Sequence, residues 1–376
     1  MVEWKELGQL GKFENIGTDK KINEGEKLVT LLNYVDVYHH KYIDSSVPQM
    51  QVSASDKKIE DCTVEKGDIF VTPSSETVDD IGHASVITET IPNAVYSYHI
   101  MRYRMFEKNM LLSYYINYAF DTENVKRQIL KKAQGLTRFG LSKDKFASIQ
   151  IPIPSLQEQT RIVGILDTFT ASIENLKEQI AQRRKQYEYY RDELLNLEGK
   201  EGVEMKTLGE VCDVITGGEV PENTIKGQQE PSENHPFAVY ANGKETYGYA
   251  DTFQINSDAV CISSIGANTG AVYFKTGKFT PAIRLKVLIP HSNLNTRFLY
   301  YESMRIDFKG RNTGSVPNIN ANYVKGKSIH LLPLSEQSRI VSILDTFEAS
   351  IANLEAQLKE REKQYEYYRN KLLTFE

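Results

Sequence analysis

Apolar residues recur along two stretches of the chain, 158–195 and 336–373, at spacings that alternate four and three. In the first stretch the positions are Ile162, Leu166, Phe169, Ile173, Leu176, Ile180, Arg183, Tyr187, Tyr190 and Leu194; in the second they are Ile340, Leu344, Phe347, Ile351, Leu354, Leu358, Arg361, Tyr365, Tyr368 and Leu372. Only one position in each row is charged. The alternation is the seam of a heptad repeat, so each stretch predicts one long helix with an apolar stripe. At about 1.5 Å per residue, such a helix is a rod of roughly 57 Å. Pro152 and Pro154 precede the first and Pro333 the second, which fits a break just upstream of each start. A single helix of this kind leaves its stripe in water, and the other copy is the nearest partner. The expectation is an intramolecular coiled coil. Arg183 and Arg361 either set its register or are solvated where the seam frays. Tyr189 and Tyr367 fall off the seam and are the candidates for contact with a partner protein.

The two stretches are also copies of each other. They align without a gap at an offset of 178, and 26 of 38 residues are identical. The segments before them open alike, with VEWKELGQL at Val2 and VEMKTLGEV at Val203. So long a period excludes a solenoid of short units; the repeating object is a globule followed by a rod. Between these landmarks the two globules diverge. Short strand-like runs such as GDIFVTP and DAVCISSIG are punctuated by Gly, Asn and Pro turns. The fold class is therefore α+β: two mixed α/β domains over 1–154 and 199–333, with long helices over 155–198 and 334–376. Like scaffolds that carry unlike globules suggest a device presenting two different recognition surfaces.

Charge sharpens this picture only locally. The net charge is -5, which gives no global signature of nucleic-acid binding. Just before the first rod, however, Lys126, Arg127, Lys131, Lys132, Arg138, Lys143 and Lys145 stand against Asp144 alone. Before the second rod, Arg305, Lys309, Arg311, Lys325 and Lys327 stand against Asp307. A solvated helix face explains either patch alone; recurrence at the same point of both repeats brings phosphate contact level with it. Candidate base readers are the polar turn residues Asn242, Lys244, Thr246, Ser263, Ser264, Asn268 and Thr269, with Arg311 and Asn312, and more weakly His39, Ser74 and Ser75. For each of them turn chemistry is the competing explanation.

Catalytic and metal chemistry find little support. His39 and His40 are adjacent without a spaced carboxylate or thiol. Cys62, Cys212 and Cys261 form no CxxC pair and are expected to be buried thiols. GAVYFKTGK spaces its glycines wrongly for a phosphate-binding loop, and Phe279 follows its lysine. The N-terminal MVEWKELGQLGKFEN carries charges where a signal peptide needs an apolar run, and no long apolar stretch occurs. The expectation is a soluble, cytoplasmic reader with no cofactor, metal or catalytic group of its own.

The chain resembles the specificity subunits of type I restriction-modification enzymes. The resemblance rests on the helix entries PSLQEQTRIVGILD and LPLSEQSRIVSILD, the QYEYYR exits and the WKELGQL and MKTLGEV openings, and it covers the full chain. It implies that each globule is a target recognition domain for one half of a bipartite double-stranded DNA site. It further implies that the rods pack antiparallel as a spacer, with a pseudo-two-fold repeat. Two methyltransferase subunits using S-adenosylmethionine on adenine, and restriction subunits using ATP and Mg, are the implied partners. Trp4 answered by Met205, and the unlike globules, bar any residue-by-residue transfer of base contacts. The competing reading is a coiled-coil adaptor whose globules bind proteins.

Overall fold

The similar openings of the two repeats have a structural reason: each begins as a strand that clasps the strand just ahead of a long helix. The computed structural model describes residues 2–107, 109–309 and 319–375. In it Glu3–Glu6 pairs antiparallel with Gln150–Ile153, and Glu204–Thr207 with Ser328–Leu331. Each opening strand runs into a short helix, Leu7–Leu10 or Leu208–Val211. A side chain reaches back to fix the junction: Gln9 accepts from the Glu6 N–H at 3.0 Å and Glu210 from the Thr207 N–H at 2.7 Å. Leu7 and Leu208 are fully buried.

The chain divides into two compact units, Met1–Glu178 with Ala356–Glu376, and Gln179–Glu355. In the first, a five-stranded sheet has the order Gly11–Glu14, Met101–Met105, Ile69–Val71, Ala84–Ile87, Tyr42–Ile43, antiparallel except at its last pair. A three-stranded sheet joins Met50–Ala54, Lys27–Leu32 and Ala94–Tyr96. In the second unit an antiparallel sheet has the order Cys212–Thr216, Lys286–Pro290, Ala259–Ile262, Val272–Lys275. A five-stranded sheet orders Ile225–Lys226, Gly248–Ala250, Phe237–Tyr240, Lys278–Pro281 and Ile255–Asn256. The continuous apolar runs of the sequence become inner strands. Every residue of Ile69–Val71 and of Ala259–Ile262 is buried, as strands covered on both faces require.

Both long helices are unbroken, over Leu156–Leu194 and Leu334–Leu373, and each contributes to both units. They pair antiparallel within each unit. In the first, Phe169 stacks on Tyr368 at 5.4 Å while Lys177 meets Glu362 at 3.9 Å. In the second, Tyr190 stacks on Phe347 at 5.4 Å while Arg184 pairs with Glu355. Rising numbers on one helix thus meet falling numbers on the other.

The seam is not uniform along its length, which corrects the expectation of a simple helix-to-helix stripe. Ile162 and Leu166 are buried in the core of the first unit with Tyr115, Tyr118 and Phe146. Ile340 and Leu344 are buried in the second with Phe298, Leu299 and Tyr301. The first turns of each rod therefore dock the rod to its own globule. The far ends do the same in the other unit: Tyr365 and Leu372 pack against the first core, Tyr187 and Leu194 against the second. Between them Ile173, Leu176 and Ile180 are buried, and Ile351, Leu354 and Leu358 are half-buried. The two seam arginines are not frayed positions. Arg361 lies 5.7 Å from the ring of Phe169, and Arg183 lies 5.7 Å from that of Phe347. Among the described residues, no helix is long and apolar enough to cross a membrane.

Candidate nucleic-acid interface

The basic stretch of the first unit folds as two helices and a hairpin, and these give its cations different roles. The helix Glu123–Lys132 is capped by Thr122, whose hydroxyl accepts from the Val125 N–H. Val125 and Ile129 are buried, leaving Lys126, Arg127 and Lys131 exposed on the other side. Arg127 pairs with Glu123 at 2.8 Å. Lys126 and Lys131 carry no ion pair among the described residues, nor does Lys143, exposed in the helix Lys143–Ala147. Lys132 is different: its ammonium donates to the Ser148 carbonyl at 2.9 Å and to the Ser148 hydroxyl. Lys145 likewise donates to the Lys132 carbonyl at 2.9 Å. Both tie the end of this helix to the helix Lys143–Ala147 and its C-cap.

The turn over 134–140 brings two of the weaker sequence candidates, Ser74 and Ser75, beside Arg138 of the basic stretch. Ser74–Ser75 pairs antiparallel with Phe139–Gly140, and Arg138 donates to the Ser74 hydroxyl at 3.3 Å. The turn needs Gly135, with φ +138°, because a Cβ there would lie 1.9 Å from the Arg138 carbonyl oxygen. Nearby, Tyr34 stacks on Tyr38 at 5.8 Å. Tyr38 in turn packs against the exposed His39 and against His83. Burial, then the nearby charges of Lys20 and Arg138, hold His99 below its ordinary range. The first unit therefore has a surface with Arg138, two serine hydroxyls and aromatic rings. Tyr34, His99 and Lys20 were not apparent in sequence, because only the fold brings them near one another and Arg138.

In the second unit most of the predicted turn residues build the turns themselves. Asn242 accepts from the Ser264 N–H at 2.7 Å through its side chain and from the Ser263 hydroxyl at 3.1 Å through its carbonyl. Its amide donates to the Ile283 carbonyl. Asn268 donates to the Asn242 carbonyl at 3.2 Å, and the buried Thr269 donates to the Gly266 carbonyl at 2.6 Å. Ser263 and Ser264 are fully buried. Thr246 is half-buried. Lys244 and Lys309 remain exposed. The side chain of Lys309 runs beside Gly270, whose added Cβ would lie 2.8 Å from the Lys309 Cγ. Arg311 and Asn312 lie outside the described residues. Arg284, which the sequence reading passed over, is exposed on the turn that Asn242 and Ser264 hold.

The three cysteines are buried and unpaired, and burial pushes the Cys212 and Cys261 thiols up to about 12. Neither is an activated nucleophile. Among the described residues, no three His, Cys, Asp or Glu side chains gather as metal ligands would.

Known proteins resemble this chain in sequence over part of its length and in fold over all of it. A specificity subunit of the EcoR124I/EcoR124II type I restriction enzyme of Escherichia coli is 34% identical over 266 residues, covering 61% of this chain and 64% of that subunit. The matched part is thus less than two thirds of that relative. A Mycoplasma pneumoniae chain named as a type I specificity subunit is 31% identical over 256 residues, covering 62% of this chain and 75% of its own. The crystal structure of the S subunit of a type I restriction-modification system from M. genitalium has the same fold, with a TM-score of 0.65 at 15% identity over 100% of this chain and 97% of that one. A chain solved in work on complex assembly and conformational transition of the type I R-M system gives 0.56 at 17%, over 99% and 96%. The type I restriction modification DNA specificity domain matches at residues 1–183 and again at 200–363, so the chain belongs to that family and carries its domain twice.

Proposed function

We propose that this chain is the DNA-recognition subunit of a cytoplasmic type I restriction-modification complex, each unit reading one half of a bipartite duplex site. The observation that supports this most is the double occurrence of the specificity domain on helices whose contacts recur at an offset of 178: Phe169 on Tyr368, and Phe347 on Tyr190. In this reading Lys126, Lys131 and Lys143 contact phosphates of one half-site. Arg138, Ser74 and Ser75 face its bases, and Lys244 and Lys309 serve the other half. Because the globules differ, the two half-sites differ, and the paired helices set their separation. The chain supplies no catalytic group. Methylation of adenine with S-adenosylmethionine, and restriction with ATP and Mg, belong to two methyltransferase subunits and to restriction subunits. Tyr189 and Tyr367, 65% and 58% exposed, are the proposed contacts for such partners.

The test is modified-base sequencing of DNA from cells that express the chain with a methyltransferase subunit, before and after residues 12–145 are exchanged for those of a relative. A bipartite methylated motif that changes in one half alone is the expected result. The absence of any methylated motif, with protein partners still assembled, returns the adaptor reading.

A further inference from the structure

Three described residues other than glycine have positive φ: Asn93, Ile283 and Arg284, at 54°, 51° and 61°. Asparagine tolerates that region. Two adjacent side chains of the bulk of Ile and Arg do not adopt it unless their surroundings force it. Here the surroundings do so from every side. Ile283 N–H donates to the Gly218 carbonyl at 2.8 Å and Arg284 N–H to the Gly217 carbonyl at 3.1 Å. The Ile283 carbonyl accepts from the Asn242 amide. The Arg284 carbonyl accepts from the Ser264 hydroxyl at 2.6 Å and from the Lys286 ammonium at 2.9 Å. Ser264 is fully buried and Lys286 is 3% exposed, so this support is rigid and lies behind the turn.

With all four backbone groups of the turn satisfied inside the protein, what it offers outward is two side chains. Ile283 is 36% exposed. Arg284 is exposed, and its guanidinium has no ion pair or hydrogen bond among the described residues. Strain of this kind persists at sites that must hold a group in a fixed direction. A phosphate needs no such direction, since any mobile lysine satisfies it. The turn fixes the direction in which the Arg284 side chain leaves the backbone, and its planar guanidinium suits two acceptors side by side, as on the O6 and N7 edge of guanine in the major groove.

We propose that Arg284, presented by the strained Ile283–Arg284 turn, reads a guanine in the half-site bound by the unit Gln179–Glu355. The inference rests on the DNA-recognition function proposed above. It explains why Asn242 and Ser264, polar turn residues of the kind that read bases, are used inward. They position the reader.

The experiment uses the complex assembled with a methyltransferase subunit, and measures methylation of a target library randomised in each half-site in turn. The wild type should demand guanine at one position, and Arg284→Ala should relax that demand about 5- to 150-fold, as expected for one bidentate contact. The other half-site should be unchanged. Arg284→Lys, which keeps the charge and loses the fork, should fail to restore the discrimination. Uniform weakening at all sequences, cured by lysine, makes Arg284 a phosphate contact and overturns the proposal, as does an unchanged profile. A wild-type complex that methylates no bipartite site overturns the function itself and this inference with it.

Discussion

Tyr301 donates its hydroxyl proton to the Asp345 carboxylate at 2.6 Å, and Tyr118 does the same to Asp167 at 2.6 Å in the other unit. The two aspartates occupy equivalent places about three turns into the rods, and the two tyrosines come from globule helices, Thr296–Met304 and Met110–Phe120. Each globule is therefore pinned to the rod that follows it by a buried phenol on a carboxylate. In the second unit Arg297 adds bonds to both Asp345 and Glu348. Tyr301→Phe should lower stability by about 1.5–3 kcal/mol, the worth of one hydrogen bond to a charged acceptor. Calorimetry should register a Tm fall of a few degrees; an unchanged Tm means the pin carries no weight.

The aromatic contacts between the rods make a second case. Phe169 meets the rings of Tyr365 and Tyr368 and the Arg361 guanidinium at 5.7 Å. A double-mutant cycle of Phe169→Leu and Arg361→Gln in urea unfolding should give a coupling of about 0.5–1 kcal/mol, as for a partly exposed cation over a ring. Zero coupling would return Arg361 to the solvent.

Acid sensitivity follows from Arg102, which is 4% exposed and ion-paired with Glu14. Burial works to raise the Glu14 pKa, but hydrogen bonds and charge from Arg102 and Lys12 outweigh it and hold the carboxyl below its ordinary 4.5. A depressed carboxylate contributes stability that is complete above the unfolded value and is lost as pH falls through the folded one. Glu14→Gln should therefore cost about 3 kcal/mol at neutral pH by leaving a buried guanidinium short of its partner. The gap between wild type and variant should narrow below pH 4.5. Urea titrations at pH 7, 5 and 4 measure it, and a gap that widens in acid contradicts the assignment.

How much of this was legible in the chain depends on the range of the interaction. The rods were, because a heptad seam is a local pattern, and so were the inner strands Ile69–Val71 and Ala259–Ile262. The docking of Ile162, Leu166, Ile340 and Leu344 into the globules was not, since an apolar position at helical spacing does not say which neighbour covers it. The same limit applies to Asn242: its residue type fits a base reader and a turn brace equally, and the choice is made by Ile283 and Ser264, which lie 41 and 22 positions away. Arg284 could not be found at all. PAIRLKV reads as a strand, and a left-handed backbone at Ile283 and Arg284 is imposed by the tertiary contacts that surround it.

If the paired helices set the separation of the half-sites, their length is the adjustable part. Seven residues inserted at equivalent points of both rods keep the seam in phase and add about 10 Å, or roughly three base pairs. The methylated motif should keep both halves and gain a longer spacer. A changed half-site with an unchanged spacer would defeat the idea.

The lysines before the first rod allow a sharper test, because the structure sorts them. Lys126 and Lys131 are exposed and without ion pairs among the described residues, whereas Lys132 is bonded to the carbonyl and hydroxyl of Ser148. A phosphate contact releases condensed counterions, so its removal lowers the slope of log K against log salt by about 0.9. Lys126→Gln and Lys131→Gln should each weaken binding alike at specific and non-specific sequences and reduce the slope by about one. Lys132→Gln should leave the slope alone and instead destabilise the helix end by about 1 kcal/mol, through the carbonyl it strands. Fluorescence anisotropy of the assembled complex across a NaCl series reads the slopes, and thermal unfolding reads the stability. Should Lys132→Gln shift the slope while Lys126→Gln and Lys131→Gln do not, the DNA lies against a different face of this unit.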